Sequence, residues 1–524
     1  MNRHFRPGPV VNYRRADLSM ALDAVGAALR DPEHGLFQSH GVLVRVIRID
    51  RAEEGDGIRR PRGALIIRTV NEHYLVEIFG RAVRFQIWDA QKGKFVAHLP
   101  RIEFAKHFIA RGEWDVPILS GIVEAPTLRE DGSVLVNHGY DTATGIYLDT
   151  GGVAFPEIPD QPTRADALAA LALLKNPIQD FPFVPDREEA DLGAPSAARS
   201  VALSAILTAI CRKGIRTAPI HALDATNMGT GKTLLADVVS IIASGRAIAA
   251  ISQGKSEEEF NKRLFSVLRQ GDPIILIDNI DQPVRSDELS TIVTVESWQC
   301  RVLGSSVNNT VPTNVLFLMN GNGLQFEGDI STRVITCRLD ARVEDPTARV
   351  FDRDLRKYVP ERRPELVAAA LTMLRAHIVA GYPGEELVTP YGRFEDWSRL
   401  VRGALVWLGE PDPCATRAAI EAIDPERDAL AALMRAWRDH LGTRDWITAK
   451  DILDRANGLG ASQNFDPKGE LQDALTALVP HHLGPKTLGR NLMRYKDRII
   501  DSMRIRVHAI KGESTRYRLE VIES

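Results

Sequence analysis

The chain has 524 residues, 44% hydrophobic and 26% charged, with 66 Lys and Arg against 69 Asp and Glu for a net charge of −3. That length points to roughly three or four domains. The charge balance excludes a chain that grips nucleic acid with its whole surface, but leaves room for one basic patch. No apolar run approaches the roughly 18 residues of a bilayer span. The N-terminus begins Met-Asn-Arg-His-Phe-Arg with no apolar leader, and Cys211, Cys300, Cys337 and Cys414 form no Cys-x-x-Cys pair. The expectation is a cytoplasmic chain with reduced thiols, no membrane association, and neither a disulfide framework nor a zinc site.

Residues 1–155 read as a strand-rich N-terminal domain. Val42–Ile49 and Ala64–Arg68 are β-branched runs separated by the charged segment Arg51–Arg62, read as a loop, and Asp131-Gly132 and Asp149–Gly152 mark turns. Residues 156–196, rich in Pro and Asp and interrupted by a short Ala/Leu helix, read as a linker region. From 197 to 345, short apolar strands alternate with amphipathic segments, the pattern of an α/β parallel sheet. Residues 346–441 read as helical, with helical spacing over Pro364–Gly381 and Phe394–Gly409. In 442–524, helices near Thr448–Asn457 and Lys468–Leu478 precede a basic segment and a strand-like end at Thr515–Ile522. That order is the pattern of a winged helix.

The strand Pro219–Asp224 runs into Ala225-Thr-Asn-Met-Gly-Thr-Gly-Lys-Thr233, and Leu234–Ile242 reads as a helix. Strand, glycine loop and helix in that order define a P-loop. The amides of Asn227, Met228, Gly229, Thr230, Gly231 and Leu234 would surround a polyphosphate; Lys232 would reach its β- and γ-phosphates, and the Thr233 hydroxyl would hold Mg²⁺. One position departs from the pattern: Thr226 stands where Gly is usual. The acidic partner is Asp278, ending the buried run Pro273–Asp278 and binding Mg²⁺ through water. The next residue is Asn279, which cannot act as a base. Asp281 and Glu259, the latter in Glu257-Glu-Glu259, are the alternative carboxylates, although three acids there also fit an ordinary helix N-terminus.

Asn314–Asn322 is a strand predicted to lie between the P-loop and Asp278 strands. It ends in an asparagine suited to orienting water or γ-phosphate, Asn322 by preference and Asn320 otherwise. Arg333, just before the strand that follows, is placed to reach a neighbouring subunit's nucleotide as an arginine finger.

These motifs resemble the AAA+ ATPases, and among them the helicase-like proteins of phages and integrated mobile elements, related to superfamily 3 and minichromosome-maintenance helicases. The resemblance is carried by Asp224–Thr233, Ile275–Asp281, Trp298–Gly304, Asn320–Asn322 and Asp329–Arg333, with looser likeness in Gly121–Gly132, Gly139–Gly145 and Trp397–Gly409. It implies an AAA+ core with a helical lid and a homo-hexameric ring with ATP and Mg²⁺ at subunit interfaces. It also implies a lid arginine near the γ-phosphate, Arg402 or else Arg399. A hairpin before the asparagine strand would face DNA in the pore. Here Arg301–Val311 takes that place, with Val302 and Leu303 on one strand, Asn308-Asn309 at the tip, and Arg301 as its one cation.

The basic charge hidden in the total lies at the C-terminus, where Lys486–Arg518 holds ten Lys and Arg against Asp497, Asp501 and Glu513. Lys486–Arg498 reads as a helix carrying Lys486 and a stripe of Arg490, Arg494 and Arg498, suited to DNA phosphates. Residues 1–150 have no Asp-x-Asp pair for two-metal nucleotidyl transfer, so this region reads as an accessory domain, and a primase or other replication protein is a candidate partner. The leading expectation is an ATP-driven DNA helicase or translocase of a phage-like element. The alternatives are a non-translocating AAA+ initiator, loader or protein-remodelling ATPase, and a pseudo-ATPase scaffold motivated by Asn279 and Thr226.

Overall fold

Five strands between Ile220 and Leu339 form a parallel array in the order Val334–Leu339, Ile220–Ala225, Leu316–Asn322, Ile274–Ile280, Ala250–Ser252. Their Ile-, Leu- and Ala-rich runs are largely buried, as expected of a parallel sheet covered by helices. The helices Lys232–Ser244 and Glu257–Gln270 make the crossovers. The α/β parallel sheet read from the sequence is present, and the asparagine strand lies between the P-loop strand and the Asp278 strand. The computed structural model describes residues 8–55, 58–187, 194–253, 256–301, 308–349, 351–422, 425–458, 469–479, 483–509 and 514–522.

The sheet does not stop at Ala250–Ser252. The strands Glu53–Gly55 and Ile58–Arg60 form a hairpin that adds antiparallel to this edge, with Ile58 opposite Ile251, and brings the sheet to seven strands. The charged segment Arg51–Arg62 is therefore a sheet edge and not simply a loop. Its polarity misled the reading because its charge is neutralised at long range. Arg60, 3% exposed, bonds Asp272 through Nη2 at 2.5 Å and Nε at 3.1 Å.

Three helices also separate the N-terminal region from its strand-rich expectation: Leu18–Ala28, Glu72–Ala82 and Ile102–Ala110. Each buries residues at helical spacing, such as Leu75, Ile78, Phe79 and Ala82, into one core with Val11 and Phe85 from neighbouring strands. Within 156–196, the helix Arg164–Lys175 carries a capping box between Thr163 and Asp166. Downstream, Leu355–Val379 is a single 25-residue helix with Pro360 and Pro364 inside it. Pro364 does not begin it, because the Asp354 side chain already caps the Arg356 N–H. The second helical stretch runs from Glu395 to Trp407 through a π turn at Ser398–Arg402.

The described residues fall into two compact units, one within 1–282, 286–324 and 333–416, the other within 283–285, 325–332 and 417–524. The helix Pro425–His440, assigned from sequence to the region before 442, belongs to the second unit. Its Leu433, Met434 and Trp437 share a core with Leu471, Leu475, Leu492 and Leu519. That unit continues through the strand Ile447–Thr448 and helices Ala449–Ala456, Glu470–Leu478 and Pro485–Arg494 to the strands Met503–His508 and Arg516–Val521. Its antiparallel sheet has Arg516–Val521 in the middle.

Candidate functional site

The P-loop strand ends at Ala225 and the helix begins at Lys232, so residues 226–231 form the loop. Gly231 is the N-cap with φ 101, a conformation that favours glycine, and a Cβ there would stand 3.1 Å from Phe181 Cε1. The helices starting at Ala197 and Glu257 have serine side chains on their first amides, whereas this one has no side-chain cap. Uncapped N–H groups at the positive end of a 13-residue helix fit a phosphate group. Thr230 is buried and donates to the Asn227 carbonyl at 3.3 Å, Asn227 reaches the Val343 carbonyl at 3.5 Å, and Met228 projects outward, 76% exposed.

Two asparagines from the central strand meet this loop. Lys232 Nζ donates to Asn322 Oδ1 at 2.6 Å, and Asn320 Nδ2 donates to Thr233 Oγ1 at 3.3 Å. Burial pushes the Lys232 ammonium below its usual range, opposed by the charge of Asp224. Asn320 Oδ1 also accepts the Asn279 N–H at 2.8 Å. Sequence reasoning offered the two asparagines as alternatives; each has its own partner.

The same bond explains Asn279. The pairing of the Asp278 strand slips between Ile277, opposite Met319, and Ile280, opposite Gly321, so Asp278 and Asn279 form a bulge. Asn279 has φ 57, the left-handed region that asparagine enters more readily than glutamate. Gly321 permits this close approach, since a Cβ there would lie 2.5 Å from the Ile280 carbonyl oxygen and 2.4 Å from Leu324 Cδ2. Gly321→Ala is expected to push the two strand ends apart and, under the function proposed below, to lower ATP turnover at least tenfold. Measurement of turnover alongside thermal unfolding distinguishes this from general destabilisation.

Other predicted residues stand elsewhere. Arg402 is 1% exposed, bonded to Asp412 through Nε at 2.7 Å and to the Thr389 carbonyl at 2.6 Å. That corrects its candidacy as a γ-phosphate sensor, because a buried guanidinium with its own carboxylate is not available to an incoming phosphate. Arg399 is exposed and lies over the Tyr382 ring at 4.6 Å. Glu259 sits in the first turn of its helix and pairs with Arg263 one turn on, in agreement with the helix-terminus alternative. Asp281 is exposed, just past the end of its strand. Arg333 is 6% exposed, donating to the Ser290 carbonyl and, at 2.8 Å, to Thr294 Oγ1.

The hairpin before the asparagine strand is present, but its register differs from expectation. Ser297–Arg301 pairs with Asn308–Pro312, Arg301 opposite Asn308 and Cys300 opposite Asn309. Asn308 and Asn309 therefore open the second strand and are not the tip. The positions proposed for its first strand, Val302 and Leu303, lie outside the described residues. In the C-terminal unit the basic helix ends at Arg494 and the chain turns at Tyr495, which is buried. Arg498 thus leaves the predicted stripe, while Lys486, Arg490 and Arg494 remain on an exposed helix surface. The turn is held by the Asp497 N–H on the Ile505 carbonyl at 2.9 Å and by φ 61 at Asp497.

No family model matches the chain, and no curated protein matches it. Among solved structures it is similar to the apo A form of the NrS-1 C-terminal region, at 12% identity over 92% of this chain and 97% of that one, with a TM-score of 0.37. A second structure of that region gives 12% identity, 92% and 96% coverage and a TM-score of 0.34. The JCV helicase bound to a substituted acetamide gives 13% identity over 48% of this chain and 74% of that one, with a TM-score of 0.19. At such scores these likenesses carry no functional argument. No helix among the described residues is long and apolar enough to cross a membrane.

Proposed function

We propose that the chain is an ATP-dependent DNA helicase or translocase of a phage-like or integrated mobile element, acting as a homo-hexameric ring in DNA replication. The observation that carries the reading is the convergence of Lys232 with Asn322 and Thr233 with Asn320 beside Asp278, at the strand ends of one parallel sheet. Ligands bind at such strand ends in open α/β sheets. ATP would lie along Thr226–Leu234, with Mg²⁺ held by Thr233 and, through water, by Asp278. In that arrangement Lys232 exchanges its bond to Asn322 for phosphate oxygens and neutralises their charge, the loop amides fix phosphate position, and Asn320 holds Thr233 in place. The order of helices and strands in the C-terminal unit supports a winged-helix reading, with Lys486, Arg490 and Arg494 facing DNA phosphates.

A DNA-stimulated ATPase assay paired with unwinding of a forked substrate tests the whole reading; DNA-independent turnover without unwinding would favour the initiator, loader or remodelling alternative. Arg333 as a finger in trans requires release of its contacts with Ser290 and Thr294 when subunits assemble. Arg333→Ala is therefore expected to leave nucleotide affinity within about threefold while turnover falls 10³-fold or more. Equal losses in binding and turnover would count against the finger.

A further inference from the structure

The two C-terminal strands, Met503–His508 and Arg516–Val521, alternate apolar and polar side chains. Met503, Ile505, Tyr517 and Leu519 are buried in the unit's core, so Arg504, Arg506, His508, Arg516, Arg518 and Glu520 share the opposite face. Register places Arg504 opposite Glu520, Arg506 opposite Arg518, and His508 opposite Arg516. The first pair is complementary, with Nε–Oε2 at 2.6 Å. Arg506 and Arg518 set two guanidinium groups directly across from one another, an arrangement that destabilises a sheet, and His508 sets an imidazole across from Arg516. Arg506 is partly compensated by Asp497 at 2.8 Å and Glu520 at 3.6 Å. Among the described residues, Arg516 and Arg518 have no carboxylate within ion-pair distance.

Planar groups lie on the same face. The Arg518 guanidinium carbon is 4.8 Å from the centre of the Trp446 ring, and the His508 ring is 5.5 Å from that ring at 55°. His508 and Arg516 are exposed, and Trp446 is partly so. Opposed cations beside a cluster of flat groups suit a polyanion that also offers flat faces. Unpaired nucleobases meet that description, whereas a duplex buries its base faces in its own stack.

We propose that this face binds single-stranded nucleic acid, with Arg506, Arg516 and Arg518 on phosphates and the Trp446–His508–Arg518 cluster against bases. The proposal rests on the nucleic-acid partner proposed above but assigns a different surface from the helix of Lys486, Arg490 and Arg494. The test uses the full-length chain without nucleotide, titrated into labelled oligo-dT and into a blunt duplex. The Arg516→Gln/Arg518→Gln variant is expected to lose about tenfold or more in oligo-dT affinity and to reduce the salt slope of log K by about 1.4, two contacts at ~0.7 each. Its duplex affinity should change less than twofold. The Arg490→Gln/Arg494→Gln variant should show the reverse preference. As a fold control, Arg516→Gln alone should leave the thermal unfolding midpoint unchanged, because Arg516 is exposed and pairs with no carboxylate among the described residues. Unchanged oligo-dT binding in the first variant, or equal losses on both substrates, overturns the proposal. A parent chain that binds neither substrate overturns the nucleic-acid reading as well.

Discussion

Lys232→Ala is expected to abolish ATP turnover and to weaken nucleotide binding by about 10²–10³-fold. The ammonium is partly withdrawn from water and held by one neutral acceptor, Asn322 Oδ1 at 2.6 Å. It is thereby ready to exchange that acceptor for phosphate oxygens. A charge-assisted hydrogen bond contributes roughly 1.5–3 kcal/mol, so the loss of one or two such bonds gives the stated range. Lys232→Arg should not rescue turnover, since the forked guanidinium does not reproduce a compact ammonium at the end of a loop. Calorimetric titration with a non-hydrolysable ATP analogue measures the affinity, and phosphate release measures turnover. Retention of parent affinity in Lys232→Ala would place the nucleotide elsewhere on the chain.

Arg60→Ala is expected to be the most destabilising of the substitutions considered. Arg60 belongs to the N-terminal hairpin on the edge of the sheet, and Asp272 lies just before the Asp278 strand. Both are buried, with side-chain exposures of 3% and 8%. Burial pushes the Asp272 carboxyl above its usual range despite the arginine beside it, so removing the guanidinium leaves a poorly solvated acid. Breaking such a pair from one side costs about 3–5 kcal/mol, while replacing both partners costs less. A fall of roughly 5–10 °C in the unfolding midpoint of Arg60→Ala is expected. The double variant Arg60→Leu/Asp272→Leu should recover part of it. Additive losses in the double variant would show that the two residues do not act as a pair.

The strand, glycine loop and helix around Lys232 were legible because their signals are local. A P-loop needs a strand, a glycine-bearing turn and a helix within a few residues of one another, and all three follow from hydrophobic periodicity and residue type. The unusual Asn279 was visible as an anomaly but had no explanation until its left-handed backbone and its bond to Asn320 were seen. No sequence pattern announces that Lys232 meets Asn322 or that Thr233 meets Asn320, because strands adjacent in the sheet are far apart along the chain. Arg402 shows the converse error. A basic residue on the helical stretch Glu395–Trp407 resembles a phosphate sensor until Asp412 is found beside it.

Residue order by itself determined the α/β class of the central region, the place of the glycine loop between its strand and helix, and the concentration of positive charge near the C-terminus. Tertiary structure decided where the central sheet ends, since the charged hairpin Glu53–Arg60 joins its edge through pairing with Ile251 and an ion pair to Asp272. It also decided which arginines are committed internally and which face of the C-terminal sheet collects cations. The physical reason is the same in each case. Backbone pairing and charge neutralisation depend on distance in space, and a buried or opposed charge is recognised only when its neighbours are known.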